Sequence, residues 1–179
     1  MILAIAAIAL SPIGLRKPEP VILISWHPGY IPPSSSELQT DTLDTAVWAT
    51  GRIIWRDPAP IWAERKGTWS LQPAKYYEGV IPPTEVAAAM SRLKEKSKGV
   101  IKNWGASIPD SHATRMELRS GKWKFSMSST GEPPEAPPYG WEKVWDAGLT
   151  LWKSTRSEIK ALLPKQRKLI PRPKDSIWQ

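Results

Sequence analysis

The sequence predicts an α+β fold, with short antiparallel β-hairpins forming a small sheet and two amphipathic helices packed on one of its faces. Three observations lead there. Most of the 19 prolines fall at 18–33, 58–60, 82–83, 133–138 and 164–173, so no long helix can dominate. Apolar and β-branched residues flank two-residue turn signals in three places. Two other stretches, after Pro83 and after Tyr139, repeat apolar residues at spacings of three and four.

In chain order, residues 1–10 are an uncharged apolar run ending at Ser11-Pro12. The run is too short for a membrane-spanning helix, which needs about 20 residues, and it lacks the basic start of a signal peptide. Val21 to Trp26 reads as a β-branched strand. Two buried strands or a docked arm are therefore expected, rather than an exported or membrane-anchored form. His27 to Tyr30 is a turn signal and Pro32 to Ser36 a loop. The expected organisation is a peripheral apolar and Pro/Ser-rich arm at 1–40, an α+β core at 41–163, and a peripheral basic, proline-containing tail at 164–179.

Trp48, Trp55, Trp62 and Trp69 recur every seven residues, which suggests a heptad. Pro58 and Pro60 stop any continuous helix there, and hairpins explain the spacing better. A turn at Lys66-Gly67 pairs Arg65 with Thr68, Glu64 with Trp69 and Trp62 with Leu71, and sets these indoles on one face. A turn at Thr50-Gly51 pairs Trp48 with Ile53 and Val47 with Ile54, although threonine resists the positive φ of a type I′ turn.

The first helix is predicted from a Thr84 cap to about Lys98. Val86, Met90 and Leu93 form its apolar stripe, Glu85 lies in its first turn and Gly99 stops it. The clearest hairpin spans 115–126. A Ser120-Gly121 turn pairs Leu118 with Trp123, Glu117 with Lys124 and Met116 with Phe125. One face then carries Met116, Leu118, Trp123 and Phe125, and the other carries Glu117, Arg119, Lys122 and Lys124. The second helix begins near Tyr139 or Gly140 and ends before Pro164, with Trp141, Val144, Trp145, Leu149, Trp152, Ile159 and Leu162 along its stripe. Gly148 marks a weak point or a close helix–sheet contact.

Composition narrows the chemistry. With no cysteine, a disulfide framework, an iron–sulfur centre and a thiolate zinc site are all excluded. The two histidines, His27 and His112, stand far apart, and no metal-ligand spacing or glycine-rich phosphate loop occurs, so no cofactor is expected. Asp110-Ser111-His112 holds the residue types of a hydrolase triad. Neighbours in sequence cannot form that relay, which draws its members from separate segments. Glu132 and Glu135 sit among prolines and read as solvated. Eleven tryptophans against a single phenylalanine, Phe125, make indole the main aromatic packing unit.

The formal charge of +8 is uneven. Residues 1–60 carry 4 basic and 5 acidic side chains, 61–120 carry 10 and 6, and 121–179 carry 11 and 6. Such a field favours anionic partners. Basic residues interleave with aromatics at Arg52–Arg56, Arg65–Trp69 and Lys122–Lys124, which suits phosphate contact with base stacking, while the tryptophans themselves read as core. The expected function is non-enzymatic nucleic-acid association, as an intracellular accessory factor or a viral or ribonucleoprotein component. The expected phosphate contacts are Lys94, Lys96, Lys98 and Lys102 around the first helix and Arg119, Lys122 and Lys124 on the hairpin. Lys165, Arg167, Lys168, Arg172 and Lys174 complete the set in the tail. A rival expectation is an interaction subunit of a protein assembly, docking through the apolar N-terminus and Pro-rich segments. A third is an enzyme with dispersed acidic residues.

Overall fold

The computed structural model describes residues 18–27, 42–57, 62–65, 68–71, 74–100, 113–130 and 142–174. Among these the elements run β1 (Ile22–His27), β2 (Thr42–Val47), β3 (Arg52–Asp57), β4 (Trp62–Arg65), β5 (Thr68–Leu71) and β6 (Lys75–Val80). They continue through α1 (Pro83–Lys96), β7 (Ala113–Ser120), β8 (Trp123–Thr130), α2 (Glu142–Leu162) and β9 (Lys168–Ile170). Seven strands form one antiparallel sheet in the order β8-β7-β1-β2-β3-β6-β9, and β4 and β5 form a separate hairpin. The α+β class and its two helices are as the sequence predicts.

The apolar run after Pro20 forms β1 inside the sheet, with β2 along one edge and β7 along the other. Ile22 and Ile24 face the helices while Leu23 joins a second cluster on the opposite face. A strand buried on both faces needs apolar residues at consecutive positions, which is why 21–24 does not alternate. The peripheral placement of the arm is therefore corrected for residues 22–27. At the other end, β9 adds three tail residues as an edge strand on β6. Gly79 allows that crossing, since a Cβ there would run into Pro164.

The three hairpins differ in how they match the turn readings. β4–β5 has the expected register, Trp62 opposite Leu71 and Arg65 opposite Thr68; its side-chain faces lie outside the described residues. In β7–β8 the turn moves to Gly121-Lys122, so Ser120 pairs with Trp123, Leu118 with Phe125 and Met116 with Met127. Gly121, at φ +58, thus takes the first turn position, where a left-handed residue suits the strand twist. This slip of two leaves the faces intact, because side chains alternate with period two: Met116, Leu118, Phe125 and Met127 are all buried.

The β2–β3 hairpin slips by one instead. Val47 pairs with Ile53 and Ala46 with Ile54, so Trp48 leaves the ladder. The Gly51 amide donates to the Trp48 carbonyl at 2.9 Å and the Trp48 amide to the Arg52 carbonyl at 2.8 Å. Gly51 has φ +90. A three-residue loop ending in a left-handed glycine spares Thr50 the strain that a two-residue turn would impose. The expected pairs are corrected accordingly: Val47 and Ile53 face the helices, while Ala46, Trp48 and Ile54 face away.

Helix α1 starts at Pro83, where a missing N–H forfeits nothing, and no side chain caps it, so Thr84 lies within the helix. Val86, Ala89, Met90 and Leu93 are buried, and Gly99 takes φ +81 beyond its end. Along α2, Leu151, Trp152, Ile159 and Leu162 enter the same core, Leu149 packs partly against it and Gly148 is buried. Trp141 and the side chains of Val144 and Trp145 lie outside the described residues. Both helices cover the sheet face formed by Ile22, Ile24, Val47, Ile53, Met116 and Leu118. Burying one indole removes roughly 200 Å² from water, about 5 kcal/mol at ~25 cal/mol per Å². Trp26, Trp48, Trp55 and Trp152 are all buried, which sets indole at the centre of the packing as composition implies.

A bidentate pair ties the helices: Arg92 Nε and Nη2 donate to the two Glu158 oxygens at 2.7 Å each. The Arg92 hydrogen bond holds the Glu158 carboxyl below its ordinary range, against the opposing effect of burial. A depressed carboxyl contributes stability above its unfolded pKa and loses it as pH falls through the folded value. Thermal melts of Arg92→Ala should therefore show the largest deficit at neutral pH, closing as acid protonates Glu158; a deficit independent of pH would contradict the pairing. Gly51→Ala should destabilise by more than about 2 kcal/mol in denaturant titration, since it combines positive φ with a collision at the Ile81 carbonyl.

Candidate anion-binding groove

Antiparallel pairing brings the start of β1, the β2–β3 loop and the β7–β8 turn to one end of the sheet. The Val21 amide donates to the Val47 carbonyl at 2.7 Å, and the Arg119 amide donates to the Val21 carbonyl at 2.8 Å. The Ile81 amide donates to the Gly51 carbonyl at 2.9 Å, which delivers α1 to the same end. Between α1 and these loops runs a groove of about 420 Å³. Its apolar lining comes from Val21, Ala49, Pro83, Val86, Ala87 and Met90. Ser91 and Lys94 of α1, with Arg119, Ser120 and Gly121 of the hairpin, supply the polar part.

Of the predicted phosphate contacts, Lys94 is best placed. Its ammonium lies 5.8 Å from the ring centroid of Trp123. No carboxylate pairs with it among the described residues. Trp123 is partly buried, stacked on Phe125 at 6.3 Å between centroids, so its indole serves the core and the cation together. Lys122 and Lys124 flank it in sequence and are exposed. Arg119 differs: Glu19 and Glu117 both pair with it. Desolvation is the largest influence on Arg119 and lowers its pKa, but the Glu117 hydrogen bond and the charges of Glu117 and Glu19 outweigh it, giving a net rise. Arg115 also pairs with Glu117, at 2.9 Å, so part of the hairpin's basic face is neutralised.

The remaining cations scatter. Lys96 donates to Ser154 Oγ at 3.1 Å across the helices, and Lys98 pairs with Glu95 at 2.7 Å on an exposed surface where such a bond adds little. Lys102 lies outside the described residues. Lys165 and Lys174 are exposed beside the last strand, and Lys168 on β9 stands opposite Glu78. Arg167 lies 4.5 Å from the Tyr77 ring centroid and 4.0 Å from Asp57. Arg172 donates to Thr42 Oγ1 at 3.4 Å. Because β8 and β9 are opposite edges of the sheet, six strand spacings put Lys124 and Lys168 roughly 29 Å apart, whereas Arg172 reaches back to β2.

Sequence reading also missed a buried polar network. The register of β1 on β2 steps from Ile24 opposite Thr45 to Ser25 opposite Leu43, leaving Asp44 as the extra residue of a β-bulge. Asp44 is buried and accepts a hydrogen bond from Arg156 of α2, a link that only the bulge and the helix docking create. Nearby, Arg56 and Tyr76 are cross-strand partners. Burial lowers the pKa of Arg56 and raises that of Tyr76, while their mutual attraction opposes both shifts. Arg56 is thus turned inward, and Arg52 bonds Glu78 at 2.6 Å over the Trp48 ring, so the Arg52–Arg56 interleaving serves the fold. The side chains of Arg65–Trp69 lie outside the described residues.

No group of three or more histidine, cysteine or acidic side chains able to hold a metal occurs among the described residues. Asp110-Ser111-His112, Glu132 and Glu135, and the side chain of His27, lie outside them. Among the described residues no helix is long and apolar enough to cross a membrane. No protein-family model, curated protein or solved structure matches the chain.

Proposed function

We propose that the protein is a non-enzymatic, nucleic-acid-associated binding protein whose contacts go to phosphates and carry little sequence preference. The observation that carries this reading is Lys94, a cation without a carboxylate partner among the described residues, held against Trp123 between the exposed Lys122 and Lys124. A cation beside an aromatic ring and an open groove suits a polyanion with bases attached, and Lys124, on the other face of the same strand, adds charge at the hairpin edge. The excess positive charge of the whole chain extends the attraction beyond the contact itself. An intracellular accessory or ribonucleoprotein role fits this chemistry.

The rival reading, docking into a protein assembly through the apolar N-terminus and Pro-rich segments, falls mostly on residues outside those described. Val80 and Leu169 are the most exposed large apolar side chains described, but they stand on opposite faces of the sheet and do not form one patch.

Replacing Lys122 and Lys124 together by Glu should weaken binding to generic RNA and DNA alike. It should also make the dependence on salt shallower by about one unit for each lost phosphate contact. Both side chains are exposed, so the melting transition should stay in place. Fluorescence anisotropy across a salt series reads the effect. A folded variant with unchanged binding would remove this edge as the site, and a wild type that binds neither polymer at low salt would remove the function.

A further inference from the structure

We infer that the groove between α1 and the β7–β8 turn receives an unpaired base of a single-stranded nucleic acid, with Lys94 on the adjoining phosphate. The inference rests on the nucleic-acid reading above and adds the form of the polymer.

At about 420 Å³ the groove falls within the range of small-ligand sites, roughly 300–1,000 Å³. One base with its sugar is of that scale. Its floor of Val21, Val86, Ala87 and Met90 offers dispersion contact and no charge, which suits the flat face of a base released from its stack. A phosphate would be desolvated against the same floor without a partner, so the floor and the cation call for different parts of one nucleotide. Lys94 supplies the charge at the side of the groove nearest Trp123. The hydroxyl-bearing Ser91 and Ser120 stand on opposing walls and can meet polar groups of any base, consistent with weak sequence preference.

The hairpin tip favours close approach. A Cβ at Gly121 would meet nothing within 4 Å among the described residues, which leaves room beside the turn for a backbone passing from the groove toward Lys122. A duplex presents only its phosphate rails to such a surface, because its bases stay stacked and paired. Extracting one costs more than a single shallow apolar contact returns. Charge alone would favour the more densely charged duplex, whereas the groove favours the single strand.

The test measures anisotropy of a labelled 20-nucleotide oligo-dT and a 20-base-pair duplex, at matched salt, with the wild type and with Ala87→Trp. Ala87 is exposed on α1 and lines the groove, so the larger side chain obstructs it without altering charge or core. The wild type should bind the single strand at least about tenfold tighter than the duplex. Ala87→Trp should lose that preference while keeping duplex affinity and its salt slope. Should the tryptophan variant melt early, Ala87→Leu carries the same comparison. Equal wild-type affinity for both polymers overturns the groove assignment, as does a folded groove-filled variant that retains the preference or weakens both equally. The phosphate-directed reading survives those outcomes, and it falls only if the wild type binds neither.

Discussion

Strand β1 must satisfy two hydrogen-bonding edges and two faces at once, and the sheet is continuous only through it. On one side it holds the β7–β8 hairpin, and on the other the β2–β3–β6–β9 array. Its six residues come from the beginning of the described chain, whereas β7 follows α1. The two halves of the sheet therefore meet late in chain order, and the long loops so closed cost more entropy than any local hairpin. Consecutive apolar residues at 21–24 supply the offsetting burial, with Ile22 and Ile24 wholly inaccessible and Leu23 nearly so.

That central placement explains how charge is arranged. A sheet apolar on both faces at its middle leaves cations to the edges, the helix exteriors and the loops. Where an arginine does turn inward, as Arg56 does, it needs an aromatic hydroxyl and a nearby carboxylate to offset lost hydration. Elsewhere the arginines are largely spent on acidic partners: Arg52 on Glu78, Arg92 on Glu158, Arg119 on Glu19 and Glu117. Lys94 of α1 and the lysines of the hairpin tip have no carboxylate partner among the described residues, which is why net charge alone misstates where an anion can sit. The groove follows from the same geometry, since one end of an antiparallel sheet gathers several turns that α1 only partly covers.

Local chemistry in the sequence carried the element types. The Lys66-Gly67 turn set the register of β4–β5, the 3.6-residue repeat marked α1 and α2, and period-two alternation marked the faces of β7 and β8. Turn identity was harder to read. In β2–β3 the reluctance of Thr50 to take positive φ was visible, but its resolution, a three-residue loop with Gly51 left-handed, set Val47 rather than Trp48 beside Ile53. In β7–β8 the displaced turn shifted the pairs while conserving the faces.

The candidate site was legible only in part. The sequence by itself determined both helices and most of the strands, though not β9 in the tail, and which of their positions are apolar. It also determined that the surplus charge is basic, because propensity, periodicity and formal charge are local properties. It could not say that residues 22–27 lie between strands drawn from 42–47 and 113–118, nor that Asp44 meets Arg156. Nor could it say that Lys124 and Lys168 stand at opposite sheet edges, or that Lys94 reaches Trp123 beside an apolar groove. Those facts depend on strand order and helix docking, which are set by contacts between distant residues whose combined burial, and not any single local preference, selects the fold.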